Sequence, residues 1–153
     1  MRTFELNIFI DRPRDGIYDH LSEPINMIGL QPLLTTIDIL KEQKASKGTI
    51  LRPFYMVETH HWLGLPIRRS RVYSVIHLTR PGEEMELHVY RNFGTHIVFR
   101  YFFNESDEGN RTHLIQRVSF EKLNKLIENH EFNQAIRGQR ALLTNLKVRL
   151  EKM

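Results

Sequence analysis

The sequence predicts a single α+β domain over residues 1–153, in which a curved antiparallel sheet of seven strands wraps around a long C-terminal helix. Three observations carry this prediction. The middle of the chain reads as consecutive strands separated by turn residues, three successive hairpins put their apolar side chains on one face, and the last part switches to the period of an amphipathic helix.

Phe4, Leu6, Ile8 and Ile10 alternate with polar residues, the period of a half-buried strand, and Asp11-Arg12-Pro13 stops it. Ile17, Tyr18 and Leu21 then fit one face of a short helix. Pro24, Ile25, Ile28 and Leu30 suggest a second short helix ending near Pro32. From Leu33 to Phe120 six strands follow, with breaks at Ala45 to Gly48, Gly64 to Pro66, Pro81-Gly82, Asn92 to Gly94 and Glu105 to Asn110.

Hairpin geometry assigns faces. A two-residue loop at Pro81-Gly82 sets Arg80 opposite Glu83, and so Val72, Ser74, Ile76 and Leu78 opposite Arg91, Val89, Leu87 and Met85 on one face. Tyr73 meets Tyr90 and His77 meets Glu86 on the other face. A three-residue connection over Asn92-Phe93-Gly94 adds Ile97, Phe99, Tyr101 and Phe103 to the apolar face. A loop across Glu105 to Asn110, with Asn104 opposite Arg111, adds Thr112, Leu114, Gln116, Val118 and Phe120. The strand from Thr49 to Leu63 leaves its facing open: Phe54, Met56 and Trp62 favour one parity, Leu51, Tyr55 and Val57 the other.

Phe132, Ala135, Ile136, Gln139, Leu142, Leu143, Leu146 and Leu150 recur at spacings of three and four, one apolar stripe on a helix. Such a helix spans roughly 30 Å for about 20 residues. Its natural partner is the apolar face of the sheet. A sheet of this many strands twists and curls, so one helix leaves a cavity against the concave face unless bulky side chains fill every gap.

Composition narrows the chemistry. The chain has no cysteine, which excludes disulfides, thiolate metal sites and cysteine nucleophiles and suits a reducing cytoplasm. The opening residues lack the apolar run of a signal peptide, and no later run approaches a membrane-spanning length, so a cytoplasmic protein without membrane insertion is expected. The net charge of +4 is a small excess. Arg68, Arg69 and Arg71, and the series Arg137, Arg140, Lys147, Arg149 and Lys152, read as solvated surface, so nucleic acid is not the expected partner. Among the histidines, His60-His61 point to opposite faces of a strand and do not share an ion, and the rest stand on separate elements without ligand spacing. No metal and no cofactor is expected, and His77 with Glu86 reads as a polar pair on the outer face. No Gly-rich phosphate loop or nucleophile elbow is present.

Ile10-Asp11-Arg12-Pro13 followed by Ile17-Tyr18, Leu21, Pro24, Leu30 and Pro32 resembles the opening strand and helix pair of the SRPBCC, or START/Bet v 1-like, superfamily. Gly109-Asn110-Arg111-Thr112, and Leu143-Thr144-Asn145-Leu146-Lys147 with Leu150-Glu151, resemble its last hairpin and final helix. The likeness covers the whole chain and is nearest to the polyketide cyclase/dehydrase-like and lipid-transport branch. It implies the helix-grip fold, with a cavity between sheet and helix. Members bind lipids, sterols, polyketides, quinones and plant hormones, and only some are enzymes, so fold alone does not choose a function.

The candidate ligand-binding residues are apolar Met85, Leu87, Val89, Ile97 and Phe99 from the sheet and Phe132, Ile136 and Leu143 from the helix, with polar Arg91, Tyr101, Gln116 and Gln139 among them. Arg91 either binds a ligand carboxylate or carbonyl, pairs with Glu58 if that strand has even parity, or snorkels out at the strand end. Gln116, opposite Phe99, either offers donor and acceptor to a ligand hydroxyl or binds a buried water. Tyr101 and Gln139 would orient a mostly apolar guest. The expected function is binding or transport of a small hydrophobic or aromatic molecule by a monomer or homodimer. Two alternatives stand beside it: a polyketide cyclase or dehydratase using Arg91, Tyr101 or a histidine, and a basic quinone-binding or ribosome-associated interaction module.

Overall fold

The alternating opening segment forms strand β1 (Arg2–Ile10), with Phe4, Leu6 and Ile8 packed on the core and Ile10 fully buried. Our computed structural model describes residues 2–31, 33–91 and 94–153, less the side chains of His60 and His61. Helix α1 (Arg14–Leu21) buries Ile17, Tyr18 and Leu21, the three residues expected on its inner face. A single 3-10 turn at Pro24–Met27 replaces the second expected helix, and Ile25 on it points outward. Pro32, where that helix was expected to end, lies outside the described residues.

Seven further strands follow: β2 (Leu34–Ile39), β3 (Gln43–Lys44), β4 (Ile50–Trp62), β5 (Leu65–Arg80), β6 (Glu84–Tyr90), β7 (His96–Ser106) and β8 (Arg111–Lys122). All pairings are antiparallel, in the order β1-β8-β7-β6-β5-β4-β2, with β3 beside β4. Among the described residues the sheet thus has eight strands rather than seven, the extra one being the two-residue β3.

Two turns differ from expectation, and each keeps the inner face intact for a physical reason. Arg80 pairs with Glu84, not Glu83, which would slip the faces by one. A bulge absorbs the slip: Leu78 and Thr79 together oppose Met85, and from His77 with Glu86 through Ser74 with Val89 the pairing is as read from the sequence. In the last hairpin Asn104 pairs with His113, and Ser106 with Arg111. The chain turns tightly there through Asp107, Glu108 and Gly109, all with positive φ. The register moves by two residues, which preserves every facing but places Gln116 opposite Tyr101 instead of Phe99. The expected three-residue connection after Arg91 falls partly on Asn92 and Phe93, outside the described residues; on either side Val89 faces Ile97 and Leu87 faces Phe99, as expected.

Strand β4 takes even parity. Phe54, Met56 and Glu58 are buried opposite Ser74, Val72 and Ser70, while Tyr55 sits on the outer face against Tyr73. A register shift between His60 and His61 takes the end of the strand out of this pattern, and Trp62 is exposed. Helix α2 (Glu128–Glu151) closes the structure. Its C-terminal half buries Leu142, Leu143, Leu146 and Leu150 against the core. Arg149 donates to the carbonyls of Asn26 and Ile28, the latter at 2.7 Å, tying the helix end to the segment after α1.

Candidate functional site

Beneath the N-terminal half of α2 the sheet and helix diverge, leaving a cavity of about 420 Å³. That size falls within the range of small-molecule sites. Its apolar part is built from Val72 on β5, Ile97 and Phe99 on β7, and Leu33 before β2, with Ile127 and Ala135 on the helix side. Small side chains keep the helix side open, since Ala135 and Gly138 stand where larger residues would fill the space. Exposed Arg68, His130 and Gln134 stand at the mouth.

Four of the twelve residues proposed from sequence line this cavity: Arg91, Ile97, Phe99 and Gln139. Met85, Leu87, Val89 and Leu143 are buried in the core, and Phe132 packs between Phe4 and Phe120 beneath the guanidinium of Arg2. Ile136 is part-buried and does not line the cavity. Sequence reasoning passed over Gln31, Ser70, Thr95, Glu131 and the mouth residues. The small residues of α2 were the available signal, because a glycine at 138 beside Ala135 marks a helix face that is not packed to density.

Arg91 does not stand free in the interior. Its Nη1 and Nη2 donate to Oε1 and Oε2 of Glu58 at 2.7 and 3.0 Å, a bidentate pair that reaches across β5. Burial works most strongly against the guanidinium charge, yet the hydrogen bonds and charge of Glu58, with Glu131 beyond, outweigh it and raise the Arg91 pKa. The even parity of β4 is what brings Glu58 within reach.

A second polar group lies deeper. Gln116 Nε2 donates to Gln139 Oε1 at 2.7 Å and to the Tyr101 hydroxyl at 2.8 Å, and all three residues are buried. Burial pushes the Tyr101 phenol well above its ordinary pKa, so it stays neutral. Gln139 is the member that reaches the cavity wall. Among the described residues, Gln116 Oε1 and the hydroxyl of cavity-lining Thr95 are buried without a hydrogen-bond partner, acceptor and donor capacity that a water or ligand group would satisfy.

On the opposite, convex face the fold assembles histidines that the sequence scatters. His77, Glu86 and His88 bring one ligand atom each within 4.8 Å of one another, because His77 pairs with Glu86 across β5 and β6 and His88 follows Glu86 by two on the same face.

Comparison with solved structures places this architecture. The Zhui aromatase/cyclase from Streptomyces sp. R1128 superposes with a TM-score of 0.73 at 15% identity, over 99% of this chain and 94% of that one. A protein from Thermus thermophilus gives 0.72 at 10% identity, over 97% and 96%. The chain has the helix-grip fold of these structures. The di-domain ARO/CYC BexL of the BE-7585A biosynthetic pathway shares that fold with a TM-score of 0.73 and 15% identity, over 99% of this chain and 47% of BexL. No protein-family model matches the sequence, and no curated protein matches it either. Among the described residues no helix is long and apolar enough to cross a membrane.

Proposed function

We propose that this helix-grip chain binds a small, largely apolar or aromatic molecule that carries a polar or anionic group. The observation that supports the reading is the two-part cavity: Val72, Ile97 and Phe99 offer an apolar floor, while Thr95, Gln139 and the cation Arg68 offer polar contacts around it. Burial of apolar ligand area supplies about 25 cal/mol per Å², and the polar groups fix orientation. Arg91 serves the wall rather than the guest, since its hydrogen-bonding fork is turned to Glu58. Some of the basic residues are engaged within the fold: Arg71 faces Asp38, Lys147 holds Glu151 and Arg149 is turned to backbone carbonyls.

Native mass spectrometry of the purified protein, followed by a thermal-shift panel of aromatic carboxylates and phenols, tests the proposal. A retained small molecule, or stabilisation by members of the panel, is expected. Protein at its bare mass, with no member of the panel shifting its melting, would overturn it.

A second reading is a cyclase- or dehydratase-type enzyme. It draws on the aromatase/cyclases that share the fold and on Glu58 and His130, which bring a buried carboxylate and an imidazole to one cavity. General acid–base work needs such a group within hydrogen-bond reach of the reacting atom. Turnover of a bound polyketide-like substrate, lost in both Glu58→Gln and His130→Gln with binding retained, would favour this reading over plain binding.

A further inference from the structure

The convex face of the sheet carries a polar cluster that the cavity does not use. We propose that His77, Glu86 and His88 form a divalent transition-metal site there, taking a zinc- or copper-class ion with water completing its coordination.

The ligand set is the first argument. Two imidazoles and one carboxylate, with an open position, suit zinc and copper rather than magnesium or calcium, which prefer all-oxygen shells. Geometry is the second. His88 Nε2 lies 3.0 Å from Glu86 Oε1, close to the roughly 3.3 Å edge of a tetrahedron with metal bonds of about 2.0–2.1 Å. The ring of His77 lies beside that of His88, with centroids 4.2 Å apart, and its ligand atom lies within 4.8 Å of the other two.

The surroundings orient these ligands as the outer partners of metal sites do. His88 Nδ1 lies 3.2 Å from His96 Nε2, so donation to His96 frees His88 Nε2 as the metal-facing nitrogen. His96 is itself stacked on Tyr90, with centroids 4.5 Å apart. Arg100 Nε donates to Glu86 Oε2 at 3.0 Å, which leaves Oε1 turned to His88. The positive charge of Arg100 opposes a dication and weakens the site.

Zinc titration of the full chain by calorimetry, with magnesium as the control, tests the proposal. One equivalent of zinc and no magnesium uptake are expected, with affinity falling at least tenfold in each of His77→Phe, Glu86→Gln and His88→Phe. The copper(II) form should show two equatorial nitrogens in its electron paramagnetic resonance spectrum, a signature that a purely structural role would not produce. Absence of zinc uptake, or uptake unchanged in all three folded variants, would overturn the assignment.

Discussion

Arg91 and Glu58 form a bidentate pair at 2.7 and 3.0 Å in which the carboxylate is nearly sealed from solvent, 8% exposed, while the guanidinium is 32% exposed. Removing the buried partner strands a part-buried cation. Glu58→Ala should therefore destabilise the fold by about 1–3 kcal/mol, below the full cost of breaking a completely buried pair because Arg91 still touches water. Replacing both residues, as Glu58→Met with Arg91→Leu, should recover most of that loss. Chemical denaturation of the single and double variants measures both, and a double variant no better than Glu58→Ala would contradict the account.

The Gln116 group gives a second expectation. Tyr101→Phe removes one acceptor while Gln116 Nε2 keeps Gln139, so a cost near 1 kcal/mol is expected. Gln116→Leu deletes the shared donor and should cost more, about 1–3 kcal/mol. Denaturation midpoints in the reverse order would show that the network is not organised around Gln116.

Gly138 sits inside α2, and a Cβ built there would lie 3.6 Å from Gln31 Nε2, an ordinary contact. Gly138→Ala should stabilise the protein by about 0.5–1 kcal/mol through helix propensity alone. A lower melting temperature in that variant would mean that the helix needs glycine for a closer approach than the structure contains.

His20 links α1 to the end of α2. Burial, then the charge of Arg149 whose Nη1 lies 3.3 Å from Nε2, lowers its pKa from 6.5. A depressed folded pKa means that the unfolded chain binds the proton more readily. This contribution is thus fully present above pH 6.5 and is lost as pH falls below it toward the folded value. Stability measured from neutral to mildly acidic pH should decline less steeply in His20→Gln than in the parent, and identical slopes would remove His20 as a cause.

The fold was legible in the sequence because errors of register cancelled in parity. The bulge at Leu78 and Thr79 undoes the longer turn at Pro81, and the last hairpin shifts by two, so Gln116 keeps its inward facing while changing its neighbour from Phe99 to Tyr101. Turn details of this kind depend on tertiary packing and positive-φ residues such as Asp107 and Glu108, which alternation does not encode. The site was less legible for a related reason. The apolar stripe of α2 reports what packs, whereas a cavity lies where packing stops, at Ala135 and Gly138, and against β4 residues whose facing the pattern left undecided. In the His77, Glu86 and His88 cluster the pairing of His77 with Glu86 was legible in the sequence, whereas His88, two residues further along the same face, was not joined to it.

The most direct test of the cavity as a binding site is fluorescence titration with 1-anilinonaphthalene-8-sulfonate, an aromatic anion suited to the apolar floor and to Arg68, run on the parent and on Gly138→Phe and Ala135→Phe. Saturable one-to-one binding by the parent, lost in variants whose circular dichroism is unchanged, is the expected result. Equal binding by all three folded proteins, or none by the parent, would contradict the assignment of the cavity beneath α2 as the ligand site.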